Sequence, residues 1–518
     1  MPEEVTTDRA PKTEVLKAWA GRAWIGLRRG TRKADSAWLR LDSRARMAVV
    51  VFLLCLLVFT IVMLLVPRYN GVPTTQGDEP HYLVITRSIL SDGDVFLYNN
   101  YRAEQFRPFY EDDISMWHVV QGRYGRYVST HPMFTSLLVL PGFWLAGYKG
   151  AAFTMILITC LAAAFTFALA DRFVSRTVAV AATLLLFFTY PLLFYSRLIY
   201  PETPAILAVA AGTWAAWRLK ESGCRRHAVL LGACAGAAML LHPKFIAITI
   251  AFGVLFFMVT PGRDAKMLAS FLVPVALPVG LLLALTYVTY GPNLLKGLTA
   301  SGGSKFSGGY WGTNSVWGVP GLFLDRAWGL FIFAPVYMLF IAGLALQPTR
   351  LEWDRWWGFF ALIIGLHALV LGVFQSWNGG AAPVQRYLVP LAPLFVVCIA
   401  LLLDRVRHWL CYTVAFGLAL MQLVTTIWAF RFMVGVYGME NTDNIFLVHF
   451  LRENPVKRFI LLIFPLFHMA NAWSVFLTVL WVGFFILTAW AARRYYMRHG
   501  GGKLSPLLDI RPFGRTVV

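Results

Sequence analysis

The sequence predicts an all-α polytopic membrane protein with about 12 transmembrane helices, plus interfacial helices and loops on the outer face. Three observations predict it. Hydrophobic residues fill 58% of the 518 positions and charged residues only 14%, more apolar surface than a soluble chain of this length can bury. The apolar residues gather in runs close to the length that crosses a bilayer. Between these runs, short basic clusters alternate with weakly charged turns, as an in-and-out weave requires. The formal charge of +20 is spread over those clusters rather than along one stripe, so nucleic acid is not an expected partner. The six cysteines, Cys55, Cys160, Cys224, Cys234, Cys398 and Cys411, lie in apolar segments or beside basic connectors, and imply no disulfide framework.

In chain order, residues 1–46 carry eleven Lys or Arg against six acids. Leu16, Trp19, Ala20, Ala23 and Leu27 recur there at helical spacing, which suggests either an amphipathic helix on the inner leaflet or a basic tail. The first span begins near Met47 and ends near Leu65, before Pro67-Arg68, with no small-residue cleavage site. It reads as an uncleaved signal anchor that leaves the N-terminus in the cytoplasm. A polar loop from about 67 to 130 follows, with eight acids against six Arg, and leads into an apolar segment, His131 to Tyr148. Pro132, Pro141 and Gly142 interrupt that segment, which predicts an interfacial helix, so the first outer loop is taken as 67–148.

Further spans are expected at about 150–170, 177–195, 201–217, 228–241, 245–260 and 267–289. A second outer loop, 290–326, is rich in glycine and aromatics (Gly302, Gly303, Gly308, Gly309, Tyr310, Trp311, Trp317) and reads as a substrate-facing flap. Spans at about 327–346, 357–375, 387–403, 409–430 and 472–492 complete a transmembrane domain of residues 47–493. Phe459 to Phe467 is too short to cross, and residues 494–518 form a basic cytoplasmic tail. No solenoid repeat or inverted pair of broken helices is visible.

With sides assigned by charge, the ionisable residues at span ends converge on the outer side. These are Asp78 and Glu79 in Gly77-Asp78-Glu79-Pro80-His81-Tyr82, Glu202, His242, Lys244, and Arg386 after Trp377-Asn378-Gly379-Gly380. Ionisable groups beside the bilayer are costly and point to function. Lys244 and Arg386 suit a phosphate, Arg through its bidentate fork and Lys as a point charge. Two adjacent carboxylates in a partly dry site suit a general base for a hydroxyl or amine. Each residue also has a structural reading: Glu202 as a helix cap, Lys244 snorkelling to lipid phosphates, Arg386 as an anchor, and His242 and His131 as hydrogen-bonded scaffold. No HxxE or HExxH spacing occurs, so no metal ligands are assigned, and a divalent cation would have to draw on dispersed residues.

In order and topology the chain resembles the GT-C superfamily of membrane glycosyltransferases, the group containing protein O-mannosyltransferases and the aminoarabinose transferases that modify lipid A. The resemblance rests on the Gly77-to-Tyr82 motif, Thr130-His131-Pro132 to Gly147, Tyr200-Pro201-Glu202 and His242-Pro243-Lys244. It continues through Gly321-Leu322-Phe323 to Ala334-Pro335, and Trp377-Asn378-Gly379-Gly380 to Arg386-Tyr387. It implies a cell (inner) membrane enzyme of envelope glycan biosynthesis with both termini cytoplasmic and its active site on the periplasmic face. A monosaccharide would pass with inversion from a polyprenyl-phosphate donor to a glycan, lipid or protein acceptor. By position Asp78 looks like the catalytic base, Glu79 like its neighbour in acceptor or sugar positioning, and Lys244 and Arg386 like donor-phosphate clamps. His81, Tyr82, Glu202, His242 and Trp377 complete the expected substrate-binding set. Two other functions fit the same pattern: transfer of a whole lipid-diphosphate-linked glycan, and translocation of a lipid-linked sugar without chemistry.

Overall fold

The computed structural model describes residues 42–65, 77–110, 114, 116–260, 264–292, 316–346, 351–374, 377–379, 382–383, 386–431, 455–467 and 470–499. The basic leader, the terminal tail, Glu111, Asp112, Asp113, Gly380 and the centre of the glycine-rich loop, with Gly302, Gly303, Gly308, Gly309, Tyr310 and Trp311, lie outside them. By contacts the chain divides at Val50–Val51. What is described of the smaller, N-terminal unit is the start of the first helix, where Asp42 Oδ1 accepts the Ala45 amide at 2.7 Å.

Six helices among the described residues are long and apolar enough to cross a membrane: Ser43–Leu65, Phe134–Ala170, Ala265–Tyr290, Arg386–Arg405, Trp409–Phe430 and Ala472–His499. Four shorter apolar helices, Arg176–Phe187, Pro243–Val259, Pro335–Ala345 and Gly358–Gly372, join them. The remaining two expected spans fall on Glu202–Ser222 and Arg225–Leu241. Each expected span thus overlaps helical structure, but six of them meet helices long and apolar enough to cross and the others meet shorter or interrupted ones. At 1.5 Å per residue, the 14 residues of Ile246–Val259 extend about 21 Å, short of a roughly 30 Å hydrocarbon core. Large apolar side chains remain exposed on the long helices, among them Leu57, Leu277, Phe416 and Leu487, as lipid-facing surfaces require.

Two departures from the sequence expectation have local causes. The interfacial segment and the span after it form one run, Phe134–Ala170, broken at Ala146 (φ −145°) and Gly147 (φ 55°), where only glycine enters the left-handed region without strain. The expected span at 327–346 is three pieces, Leu330–Phe333, a 3₁₀ turn at Pro335–Met338, and Leu339–Ala345. Pro335 lacks the amide that would continue the first piece.

The described residues of the first loop pack into a folded layer. Helix Glu79–Ser91 lays Tyr82, Leu83 and Ile85 against Val139 and Phe143 of the Phe134–Ala170 helix, with Leu97, Tyr101, Phe106 and Phe109 closing the cluster. Burying each such side chain contributes about 1.5–3 kcal/mol. The loop also holds a two-stranded antiparallel hairpin, β1 (Val119–Gln121) and β2 (Tyr127–Ser129), in register Val119↔Ser129, a small exception to the all-α expectation. The hairpin docks on the end of helix Ala265–Tyr290, where Tyr290 Oη donates to Ser129 O at 2.5 Å and Arg123 lies over the Tyr287 ring. A Cβ at Gly122 would overlap the Thr289 carbonyl, so the turn must carry glycine at that contact.

Candidate active site

Four chain segments far apart in sequence deliver two acids and two bases to one buried cluster. Asp78 stands at the N-terminus of helix Glu79–Ser91 but makes no side-chain cap, so its carboxylate is free to turn elsewhere. Its amide donates to Tyr200 Oη at 3.2 Å, which ties the Gly77-to-Tyr82 motif to the Tyr200-Pro201-Glu202 motif. Glu202 is the first residue of its helix and is fully buried. Lys244 sits in the 3₁₀ turn Pro243–Phe245, where His242 Nδ1 accepts the Lys244 amide at 3.1 Å and fixes the turn. Arg386 opens the 3₁₀ turn Arg386–Leu391.

The charges form a linear relay, Lys244–Glu202–Arg386–Asp78. Arg386 donates from Nη1 to Asp78 Oδ2 at 2.6 Å and from Nε to Glu202 Oε1 at 2.6 Å. The same Glu202 oxygen receives Lys244 Nζ at 2.5 Å, while Glu202 Oε2 has no hydrogen-bond partner among the described residues. The aromatic rings of Tyr200 and Tyr387 flank the cations: Arg386 lies 4.7 Å from the first centroid and Lys244 5.0 Å from the second. Cations over ring faces are attracted by the ring quadrupole. His367 Nε2 sits 2.9 Å from the Tyr387 carbonyl and steadies that residue. With two charges of each sign the cluster is neutral, which is how such groups tolerate burial. Burial alone would raise the Asp78 carboxyl, but Arg386, His131 and His118 together hold it well below the usual carboxylate range.

Beside Asp78 lies a second cluster. His81, His118 and His131 pack ring to ring, with centroids 4.4 Å apart for His81–His118 and 4.6 Å for His118–His131. His81 Nδ1 is committed to Tyr101 Oη at 2.6 Å. The hairpin sets the other two: register Val119↔Ser129 places His118 and Thr130 just beyond its open end. The Thr130 amide donates to His118 O at 2.8 Å, and His131 follows directly. Burial drives His131 down to about 3, Asp78 opposing that and His118, Arg386 and Lys244 adding to it, so the ring is neutral at ordinary pH.

The structure therefore brings Asp78, Glu202, Lys244 and Arg386 together, with His242 holding the lysine turn and His81 and Tyr82 in the adjoining wall. Lys244 does not snorkel to the surface and Glu202 makes no cap; both spend their charge on each other. Both cations expected to clamp the donor phosphate are ion-paired to carboxylates in this structure. Glu79 Oε1 accepts the Ile199 amide at 3.0 Å and locks the two motifs together. Trp377 fills the space over Gly321, where a Cβ would fall 2.6 Å from the indole. Sequence reasoning missed His118 and Tyr101, which occupy ordinary polar loop sequence, and gave no role to Tyr200 and Tyr387, although both stand within quoted motifs.

An apolar pocket adjoins the cluster, lined by Ile85, Leu240, Pro243, Leu282 and Leu285 together with His131. Comparison with known protein families and with curated proteins finds no match. Two solved structures are similar in part. ArnT from Cupriavidus metallidurans bound to undecaprenyl phosphate shares 17% identity, with a TM-score of 0.43 over 87% of this chain and 72% of that one. The apo state of the same protein gives 17% and 0.43 over 88% and 75%.

Proposed function

We propose that this chain is an inverting glycosyltransferase that moves a monosaccharide from a polyprenyl-phosphate donor to a hydroxyl-bearing or amine-bearing acceptor at the outer face of the membrane. The observation that carries the reading is the buried relay Lys244–Glu202–Arg386–Asp78 set beside an apolar pocket. The apolar part of the pocket lining matches a lipid tail in chemistry, and the relay's two cations, reached through Pro243 beside Lys244, match the phosphate.

In this reaction the acceptor oxygen or nitrogen forms the bond to the anomeric carbon as the bond from that carbon to the phosphate oxygen breaks. The polyprenyl phosphate leaves with the electron pair, and the acceptor proton passes to Asp78. A phosphate leaving group needs positive charge rather than an added proton, and Arg386 and Lys244 supply it. Asp78 is kept ionised by Arg386 and therefore ready to accept, while carboxylates near the anomeric centre favour the oxocarbenium-like transition state. When the phosphate arrives it competes with Glu202 and Asp78 for the same cations. Substrate binding then loosens Asp78 from Arg386 and raises its proton affinity at the moment a base is needed.

The test is incubation of the purified protein, and of Asp78→Asn beside it, with radiolabelled polyprenyl-phosphate sugars and a membrane extract. Label moved to a new product by the parent and not by the variant supports the reading. Label left on the lipid by both, or moved equally by both, overturns it.

A further inference from the structure

We propose that the turn between β1 and β2, Gly122-Arg123-Tyr124-Gly125-Arg126, is a docking site for the phosphate headgroup of a membrane lipid, with Arg123 as its principal contact. The site goes beyond the transfer reading, since no residue of the ionic relay takes part in it and nothing in it calls for a sugar. Its position is set by helix Ala265–Tyr290. The 26 residues of that helix rise about 39 Å at 1.5 Å each, more than a roughly 30 Å hydrocarbon core, so its ends reach the headgroup layers. Leu277, Leu281, Tyr287 and Val288 are exposed along it, a lipid-facing surface that continues into its last turn. The hairpin docks at that end, where Tyr290 bonds Ser129 O and Arg123 lies 5.1 Å from the Tyr287 ring centroid. Arg123 therefore stands where the apolar surface ends and lipid phosphates begin, the depth at which tyrosine rings also gather.

Two further observations point to a ligand rather than to packing. First, the arginines of the turn are held in place without being neutralised. Arg123 lies against a second ring, 4.7 Å from the Tyr124 centroid, and Arg126 lies 4.5 Å from the Phe96 centroid. Contact with a ring orients a guanidinium without consuming its N–H donors. Among the described residues neither side chain makes a hydrogen bond or an ion pair. Arg386, by contrast, commits its donors to Asp78 and Glu202. Second, Tyr124 is 79% exposed and sits at φ 58°, in the left-handed region that a bulky residue adopts only at a cost. Glycine would suit that position better, as it does at Gly125 with φ 71°. The strained tyrosine instead supplies a wall for Arg123.

An oriented guanidinium with free donors matches phosphate oxygens, which it can take two at a time, and a second arginine three residues on adds charge of the same sign. A lipid is the occupant that meets both halves of the surface: its phosphate at the turn and its tails along the exposed side of Leu277 and Leu281. The same hairpin turns Val128 and Ser129 into the apolar pocket, opposite Leu282 and Leu285 of the helix. A headgroup held at Arg123 thus steadies one wall of that pocket against the membrane.

The experiment uses the full-length protein in detergent, titrated with dioleoylphosphatidylglycerol and followed by native mass spectrometry. Arg123→Gln and the double variant with Arg126→Gln are titrated beside it. Dioleoylglycerol, with the same tails and no phosphate, and inorganic phosphate are the other two probes. The tightest phosphatidylglycerol site should weaken roughly tenfold in Arg123→Gln and further in the double variant, while dioleoylglycerol binding stays unchanged. Equal phosphatidylglycerol affinity in the parent and the double variant would overturn the proposal. Dioleoylglycerol binding that falls in step would overturn it too, by showing an apolar contact only, and so would displacement of the lipid by an equal concentration of inorganic phosphate. A second measurement needs no loss of binding: a nitroxide on Tyr124→Cys, in phosphatidylglycerol nanodiscs, with label on native cysteines subtracted using the parent. Its accessibility to oxygen and to aqueous nickel should place it at the depth of the lipid phosphates, and a label with the accessibility of bulk water would overturn the assignment. Neither measurement involves a sugar donor, so failure of this site leaves the transferase reading standing, and an inert transferase leaves the lipid site standing.

Discussion

The same kind of ion pair, an arginine with a carboxylate, occurs at opposite extremes of exposure in this molecule. Arg225 and Asp264 meet at 3.2 Å with side chains 53% and 58% exposed, linking the start of helix Ala265–Tyr290 to the start of helix Arg225–Leu241. Arg386 and Glu202 meet at 2.6 Å with side chains 8% and 0% exposed. In water the first pair exchanges one set of good contacts for another and contributes little. In the buried cluster no such exchange is available, so each partner depends on the other. Geometry alone does not separate the two; access to water does.

Arg386→Met breaks the comparison at its strongest point. It strands Asp78 and Glu202 as buried carboxylates with only Lys244 to answer them. A loss of about 3–5 kcal/mol in folding stability is expected, read by thermal unfolding in detergent, together with loss of sugar transfer. If Arg386→Met unfolds no more readily than Arg225→Ala, the cluster is wetter than its burial indicates. Asp78→Asn removes one charge while Arg386 keeps Glu202. Its expected signature is a drop of about 10²–10⁴-fold in transfer rate with a far smaller change in stability, which separates chemistry from scaffold.

Asp325 sharpens the comparison because it is a fully buried carboxylate answered mainly by backbone amides. Its oxygens accept from Ala327 at 2.8 Å, Trp328 at 3.0 Å and Phe467 at 2.7 Å. Burial still prevails over those amides and Arg326, and pushes the carboxyl up to about 6 from an ordinary 3.8. The folded protein thus holds this proton more tightly than the unfolded chain does. The contribution to stability is present below about pH 4 and lost as pH rises through about 6. The thermal midpoint should fall by several degrees over that window, and Asp325→Asn should flatten this part of the profile. Smallest of all, Arg225→Ala should move stability by no more than about 0.5 kcal/mol, a shift that added salt in the parent should largely reproduce.

Much of this was legible in the sequence for a physical reason: apolar runs have a length scale set by the bilayer, and ionisable residues at their ends stand out against it. Asp78, Glu202, Lys244 and Arg386 were visible on that ground. Which cation faces which acid was not, because pairing is decided by how helices hundreds of residues apart come together. His118 was hidden for another reason. It lies in a polar loop of unremarkable composition, and its value comes from a hairpin of three-residue strands whose register cannot be read from so short a pattern. The span at 327–346 looked continuous because its apolar character is unbroken, whereas Pro335 interrupts the backbone and not the hydropathy.

The relay is written across the chain in the order acid, acid, base, base: Asp78, Glu202, Lys244, Arg386. During synthesis the first three enter the membrane before the fourth exists, and Lys244 can neutralise only one of the two acids. The unfinished protein therefore carries an unbalanced carboxylate among its early helices until Arg386 arrives to satisfy Asp78 and Glu202 together. The relay is thus completed only when the segment carrying Arg386 joins the earlier helices, and a chain halted before Arg386 keeps an unanswered carboxylate among them.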